Sequence, residues 1–183
     1  MKKSTYLLFM IILILTITGC NSKSQTNNEL ETQKEFVHWL DYELKDINSN
    51  ETFKISDFKG KKVMMETFSV WCVNCKQQQN EIKKFNEQCL NECGEDVVFI
   101  SINADPNEDE KIVKKHIEEN EYSWRYVIAP SDFMNQLMNE FGFVILNAPQ
   151  APIVRICEDQ SYTLIPTGVK TVEDLKEVIK MGC

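Results

Sequence analysis

The segment VMMETFSVWCVNCK, from Val63 to Lys76, decides how the rest of the chain is interpreted. An apolar run typical of a buried strand ends at Trp71, and Cys72 and Cys75 follow where a helical pattern begins. The spacing of the two cysteines alone fits half of a zinc site as well as a redox pair. Their place at a strand-to-helix junction favours the redox pair, because the free N–H groups of a first helical turn stabilise a thiolate.

The two cysteines are expected to have different roles. Cys72 lies at the helix N-terminus, where thiol pKa values fall to roughly 3.5–7.5, and we predict that it is the exposed, reactive sulfur. Cys75 lies about one turn further along, within disulfide reach but more shielded. The pair would attack a partner's disulfide through Cys72 and release the partner through Cys75, or run that exchange in reverse.

The sequence FSVWCVNC resembles the active-site segment of the thioredoxin superfamily, whose members carry WCxxC at the end of a central strand. The residues from Tyr42 to Phe68 resemble the lead-in of the membrane-anchored TlpA-like and ResA-like redoxins. This resemblance implies an α/β thioredoxin-like fold, with a central mixed β-sheet flanked by helices and an N-terminal β-hairpin extension. It also implies a thiol–disulfide oxidoreductase that acts on the disulfides of protein partners and needs no cofactor.

The resemblance also assigns a role to Glu66, which precedes Cys72 by six residues inside the predicted central strand. Thioredoxins carry a buried acid at this offset, and that acid exchanges protons with the resolving cysteine. Burial of a carboxylate raises its pKa, which suits proton transfer. The alternative is that the Glu66 side chain points to solvent.

Pro152 directly precedes the apolar run from Ile153 to Ile156 and resembles the cis-proline of the superfamily, with Pro149 as the rival. In that family the cis-proline faces the CxxC motif, and the preceding residue, here Ala151, offers backbone hydrogen bonds to an extended substrate. A cis X-Pro bond has a modest free-energy cost. Trp71, Ala151 and Pro152 are therefore the expected substrate-binding residues.

The N-terminus has the features of an export signal. Lys2 and Lys3 precede an apolar run of twelve residues, which is shorter than the about 20 needed to span a membrane but suits a signal-peptide core. Ile-Thr-Gly-Cys at residues 17–20 resembles the bacterial lipobox. We expect removal of residues 1–19 as a lipoprotein signal peptide and lipidation of Cys20; an ordinary signal peptide or an uncleaved anchor are the alternatives.

The expected anchor sets the predicted location and partners. Acyl chains on Cys20 would hold the protein at the extracytoplasmic face of the cell membrane. The polar residues 20–35 would be the lipidated N-terminus and a flexible tether, and residues 36–183 the thioredoxin-like domain. We therefore expect a membrane-bound electron donor in addition to protein disulfide substrates.

Composition narrows the classes of function further. The 183 residues suit a single folded domain, and a formal net charge of −8 makes nucleic-acid binding unexpected. His38 and His116 are expected to be exposed structural residues, so no Cys/His hydrolase pair is predicted.

The other cysteines do not form a zinc site with the CxxC pair. No turn residue interrupts the helical pattern between Cys75 and Cys89, so ~14 residues at 1.5 Å each separate them by about 21 Å, too far for one zinc ion. Core packing is the favoured role of Cys89 and Cys93, and a second disulfide is the alternative. The cysteines without an assigned role, which allow three connectivities, are Cys89, Cys93, Cys157 and Cys183.

Reduction of partner disulfides is the favoured function. Two alternatives stay open: a Cu(I)-handling protein that uses the CxxC pair, and a thiol peroxidase of the redoxin group. The motif contains no methionine or histidine, which argues against Cu(I). Departures from the relatives at Val73, Asn74, Gln78 and Asn80 leave the exchange chemistry intact but do not identify the partner.

Overall fold

The computed structural model describes residues 36–89 and 97–182, which form seven strands and four α-helices. The strands are β1 (Leu44–Lys45), β2 (Thr52–Phe53), β3 (Lys62–Phe68), β4 (Val97–Asn103), β5 (Arg125–Ile128), β6 (Ile153–Ile156) and β7 (Tyr162–Leu164). The helices are α1 (Val73–Cys89), α2 (Glu110–Asn120), α3 (Ser131–Phe141) and α4 (Val172–Lys180). Short 3₁₀ turns are formed by Trp39–Asp41, Ile55–Phe58, Phe143–Leu146 and Ala148–Gln150.

Five of the strands form one mixed sheet in the order β5-β4-β3-β6-β7. The pairs β3–β4 and β4–β5 are parallel, whereas β3–β6 and β6–β7 are antiparallel. Strands β1 and β2 form a separate antiparallel hairpin. The predicted thioredoxin-like α/β fold, with a mixed central sheet and helices around it, is confirmed.

The central strand β3 is buried on both faces, which fits the apolar residues Val63, Met64, Met65 and Phe68 in its sequence. Successive side chains of a strand point to opposite faces. Met64 and Phe68 accordingly join the core that includes residues of α1, α2 and α4, while Val63 and Met65 join the core that includes residues of α3. This double burial fixes β3 in the middle of the sheet and places its C-terminal end at the CxxC motif.

The predicted N-terminal hairpin is formed by strands of two residues each, and β2 ends where Ile55–Phe58 forms a 3₁₀ turn. Helix α1 begins at Val73, directly after Cys72, which was predicted to lie at the helix N-terminus. A capping box begins α4, since the Thr171 and Asp174 side chains each accept the other's backbone N–H.

Two of the unassigned cysteines are disulfide-bonded. Cys89 and Cys157 each take part in a disulfide. The favoured prediction for Cys89, a free thiol packed in the core, was therefore wrong. The predicted packing itself is found, because partly buried Cys89 packs against the core. Cys93 and Cys183 lie outside the described residues.

The predicted signal peptide, Cys20 and the tether also lie outside the described residues. Within residues 36–89 and 97–182, no helix is long and apolar enough to cross a membrane.

Candidate active site

The two motif cysteines meet at the N-terminus of α1, directly after the turn that follows β3. Cys72 and Cys75 are joined in a disulfide, with their Cα atoms 5.3 Å apart. The Cys72 backbone takes the N-cap position, because its carbonyl accepts from Lys76 N at 3.1 Å. Its Sγ accepts from Cys75 N at 3.1 Å, the bond that an N-cap side chain makes. A thiolate at this sulfur would therefore be stabilised by a backbone N–H and by the positive end of the helix.

Cys75 has a different environment. Its Sγ lies 3.1 Å from the carbonyl oxygen of Ala148, an acceptor for the proton of a reduced Cys75 thiol. An acceptor favours the neutral thiol over the thiolate, which fits the predicted resolving role.

The predicted exposure of Cys72 is not found in this disulfide form. Cys72 is 3% exposed and Cys75 only 1%, whereas the flanking Trp71 and Val73 are 62% and 79% exposed. Side chains of the motif other than the sulfurs thus form the outer surface. The difference between the two sulfurs therefore comes from their hydrogen bonds rather than from their burial.

Two carboxylates hold the turn before the motif, and sequence reasoning missed both. Both oxygens of Glu108 accept from Val70 N at 2.9 Å, and Asn103 Nδ2 also donates to Glu108. Trp71 Nε1 donates to Asp105 Oδ2 at 2.6 Å, and this bond lowers the pKa of Asp105. The acidic run after β4 was a signal, since the ends of adjacent parallel strands lie at one sheet edge.

Glu66 lies inside the protein rather than in solvent. It is 2% exposed, and Ser101 Oγ donates to its Oε1 at 2.6 Å. Burial raises the pKa of Glu66 to about 7, although the hydrogen bond from Ser101 and, to a smaller extent, the Gln79 side chain act in the opposite direction. A carboxyl group with this pKa exchanges its proton readily near neutral pH.

Neither histidine is exposed as predicted. His38 is half-buried, and its Nδ1 accepts from Leu40 N. His116 is 6% exposed, with Nε2 at 2.7 Å from Gln79 Oε1 and its ring stacked 5.9 Å from that of Phe68. The spacing of Val113, His116 and Ile117 along α2 could have shown this, because residues three and four apart share a face and all three are buried.

The predicted cis-proline was wrong. No peptide bond in residues 36–89 and 97–182 is cis, so those preceding Pro149 and Pro152 are both trans. Ala151 takes a left-handed conformation (φ 45°, ψ 57°), and its N–H is bonded to Ala148 O at 2.8 Å. The chain thus reverses at Ala151 before it enters β6 through Pro152.

The segment that faces the motif is the 3₁₀ turn just before that proline. Ala148 O lies beside Cys75 Sγ, and Asn74 Nδ2 donates to Pro149 O at 2.8 Å. Ala151 and Pro152 themselves are buried. Carbonyl groups of the turn therefore contact the CxxC motif at the place where the family resemblance predicts a cis-proline.

Two departures from the relatives have structural partners. Gln78 is fully buried and uses both ends of its amide on the Lys170 backbone, accepting from N at 2.6 Å and donating to O at 3.3 Å. Asn80 accepts from the Tyr122 hydroxyl at 2.9 Å. Gln78 therefore joins α1 to the segment before α4, and Asn80 joins α1 to the segment before β5.

In residues 36–89 and 97–182, no group of three or more His, Cys, Asp or Glu side chains is arranged to hold a metal ion. The described residues support thiol–disulfide exchange through the Cys72–Cys75 pair.

Comparison with known proteins agrees with this geometry. The model of the Redoxin family matches residues 30–156, more than half of the chain, and no curated protein matches the chain. StoA from Bacillus subtilis has a similar structure, with a TM-score of 0.56 and 20% identity over 74% of this chain and 93% of that one. A secreted thiol-disulfide isomerase from Corynebacterium glutamicum has a TM-score of 0.62 and 14% identity over 76% of this chain and 81% of that one. A secreted Mycobacterium tuberculosis disulfide oxidoreductase has a TM-score of 0.56 and 14% identity over 77% of this chain and 96% of that one.

Proposed function

This chain belongs to the Redoxin family, and from that premise we propose that it is a membrane-anchored thiol–disulfide oxidoreductase that reduces the disulfides of partner proteins outside the cytoplasm. The observation that carries the proposal is the disulfide at the head of α1, in which Cys72 Sγ accepts the N–H of Cys75. That bond gives the first sulfur the environment of a stabilised thiolate and attacking group.

The exchange balances as follows. The Cys72 thiolate attacks one sulfur of the partner's disulfide and forms a mixed disulfide with it, while the partner's other sulfur leaves as a thiolate. Cys75 then loses its proton and attacks Cys72 Sγ, which releases the attacked partner sulfur as a thiolate and closes the Cys72–Cys75 disulfide. Two electrons pass to the partner, and a dithiol donor must return them to the protein.

Glu66 is the proposed acceptor of the Cys75 proton. Burial raises its pKa to about 7, so a substantial fraction is ionised near neutral pH and able to take up a proton. The reverse transfer would serve the re-reduction of the disulfide.

Charge around the motif supports reduction over oxidation. Val73 and Asn74 supply no cation to stabilise a Cys72 thiolate, and the turn before the motif is held by the carboxylates of Asp105 and Glu108. Nearby anions disfavour a thiolate, and strongly oxidising family members are those whose reduced thiolate form is stabilised.

Substrate is proposed to bind beside Trp71, whose ring is exposed next to Cys72. Ala151 and Pro152 stay in the proposed substrate-binding set, with a changed role for Ala151. The Ala151 N–H is already bonded to Ala148 O, so a backbone N–H of the substrate would donate to the Ala151 carbonyl group.

The location rests on the sequence of the N-terminus. A lipid on Cys20 and the polar tether to residue 35 would let the domain reach a membrane-bound electron donor and nearby substrates. Labelling cells with a fatty acid should mark the wild-type protein and not Cys20→Ala. Label that stays on the variant would contradict the anchor without affecting the exchange chemistry.

The function is tested by trapping in cells. Cys75→Ser blocks release, so this variant should accumulate mixed disulfides with protein partners on Cys72. The double variant, which carries both Cys72→Ser and Cys75→Ser, should accumulate none. Absence of trapped proteins would contradict the proposal. Stoichiometric Cu(I) in the purified protein would favour metal handling, and rapid consumption of peroxide would favour a thiol peroxidase.

A further inference from the structure

A buried amide lies between His116 and Glu66. Gln79, on α1, is fully buried, and its Oε1 lies 2.7 Å from His116 Nε2. Because an amide oxygen is only an acceptor, the imidazole nitrogen in this bond must carry the proton. This bond fixes which end of the Gln79 amide is available to other groups.

The other end of that amide is a buried donor. Gln79 Nε2 has no hydrogen-bond partner within normal distance in the described residues, a costly situation for a buried N–H group. The Gln79 side chain nevertheless lies close enough to Glu66 to offset part of the rise in pKa that burial causes, and Ser101 offsets more of it. An ionised Glu66 would supply the acceptor that the Gln79 donor lacks.

We propose that His116 and Gln79 are positioning residues for Glu66: His116 holds the Gln79 oxygen, so that the Gln79 amide N–H faces the Glu66 carboxylate and stabilises its ionised form. Neither residue touches the reacting sulfurs in this role. The proposal rests on the proposed role of Glu66 in proton transfer, which it deepens by naming what sets the proton affinity of that carboxyl group.

The groups around this chain of contacts are mostly neutral. On the Glu66 side lie Ser101 of β4, Tyr126 of β5 and Tyr122, and burial raises the pKa of both phenols, so neither ionises near pH 7. Burial lowers the pKa of His116, as does the charge of Lys76, while Glu119 has the opposite effect. A neutral imidazole is thus maintained at neutral pH, and it can still donate one N–H to Gln79.

The test measures Glu66 directly. The chemical shift of its carboxyl carbon is followed by NMR against pH in the oxidised protein, and the midpoint gives the Glu66 pKa. The measurement is made for wild type, Gln79→Leu and His116→Phe. We expect both variants to raise the Glu66 pKa by about one unit, because the ionised carboxylate loses a donor. The ionised fraction at pH 7 would fall about fivefold by the arithmetic of a one-unit shift, and the pH midpoint of mixed-disulfide release should move upward equally.

Two further variants control for packing. His116→Gln places a donor N–H near the position of Nε2 and should restore the wild-type pKa, which a merely structural role for His116 would not predict. Gln77→Leu makes the same chemical change as Gln79→Leu at an exposed position of α1 and should leave the pKa unchanged. If Gln79→Leu does not fold, Gln79→Met serves in its place.

The outcomes separate the inference from the proposed function. An unchanged Glu66 pKa in folded His116→Phe and in the folded Gln79 variant would overturn the inference. A raised pKa with an unchanged pH profile of exchange would support the inference and overturn the role of Glu66 in proton transfer.

Discussion

Glu66 links stability to pH at the scale of a single residue. Its folded pKa of about 7 lies above the ordinary value of 4.5, so the folded state holds its proton more tightly than the unfolded state. The stabilisation from this proton is complete below pH 4.5 and is lost as pH rises through about 7. It corresponds to about 3 kcal/mol in the free energy of unfolding.

Glu66→Gln should therefore remove that loss. Urea unfolding of the oxidised wild type at pH 5 and pH 8 should give a free energy of unfolding lower at pH 8, whereas the variant should change much less. Glu87→Gln, an exposed acid on α1, should behave as wild type. Equal pH dependence in wild type and Glu66→Gln would show that Glu66 titrates normally.

The motif cysteines differ in hydrogen bonding, and their reactivity should follow. In the reduced protein at pH 7, Cys72 should be alkylated at least about tenfold faster than Cys75, because its sulfur caps α1 while Cys75 can donate to Ala148 O. Differential alkylation and peptide mass analysis measure both rates. Cys72→Ser should also lose insulin-disulfide reduction. Equal rates, or activity in Cys72→Ser, would reverse the assigned roles.

At the scale of elements, the segment between β4 and α2 fastens the turn between β3 and α1. Glu108 accepts from Val70 N with both oxygens, so its charge lies close to the motif that follows two residues later. Glu108→Gln keeps an acceptor for this N–H but removes the charge, and loss of a nearby anion favours the thiolate. We expect a lower Cys72 pKa and a less negative reduction potential.

The thiolate absorbance near 240 nm, followed against pH, measures that Cys72 pKa. Glu43→Gln removes one exposed charge in the segment before β1 and should leave the pKa unchanged. A higher Cys72 pKa in Glu108→Gln would mean that Glu108 acts through loop geometry rather than through its charge.

The whole molecule is expected to work as a reductant. No cation lies between the two motif cysteines in the sequence, and two carboxylates hold the adjoining turn, so the thiolate of the reduced form gains less stabilisation than a nearby cation would give it. The reduction potential should lie nearer the ~−270 mV of thioredoxin than the ~−120 mV of DsbA. Equilibration with defined thiol buffers and mass analysis after alkylation would measure it. A value near the DsbA end would make disulfide formation the better account.

Local sequence determined the fold and the reacting pair. The run from Val63 to Phe68 places apolar side chains on both faces because it lies at the centre of the sheet, and the cysteines follow where a helix begins. The capping box at Thr171 was also readable, since its partner is three residues away. Features of this kind can be predicted from the sequence because the interacting residues are neighbours along the chain.

Tertiary structure decided the surroundings of the pair. The bond from Gln79 to His116, the carboxylates that hold the turn, and the trans bond at Pro152 all depend on how distant segments pack together. No local pattern states which side chain will face another across 30 or more residues. Sequence alone thus identified the sulfurs that exchange, whereas packing set the proton affinities and hydrogen bonds around them, because burial and long-range contacts exist only in the folded chain.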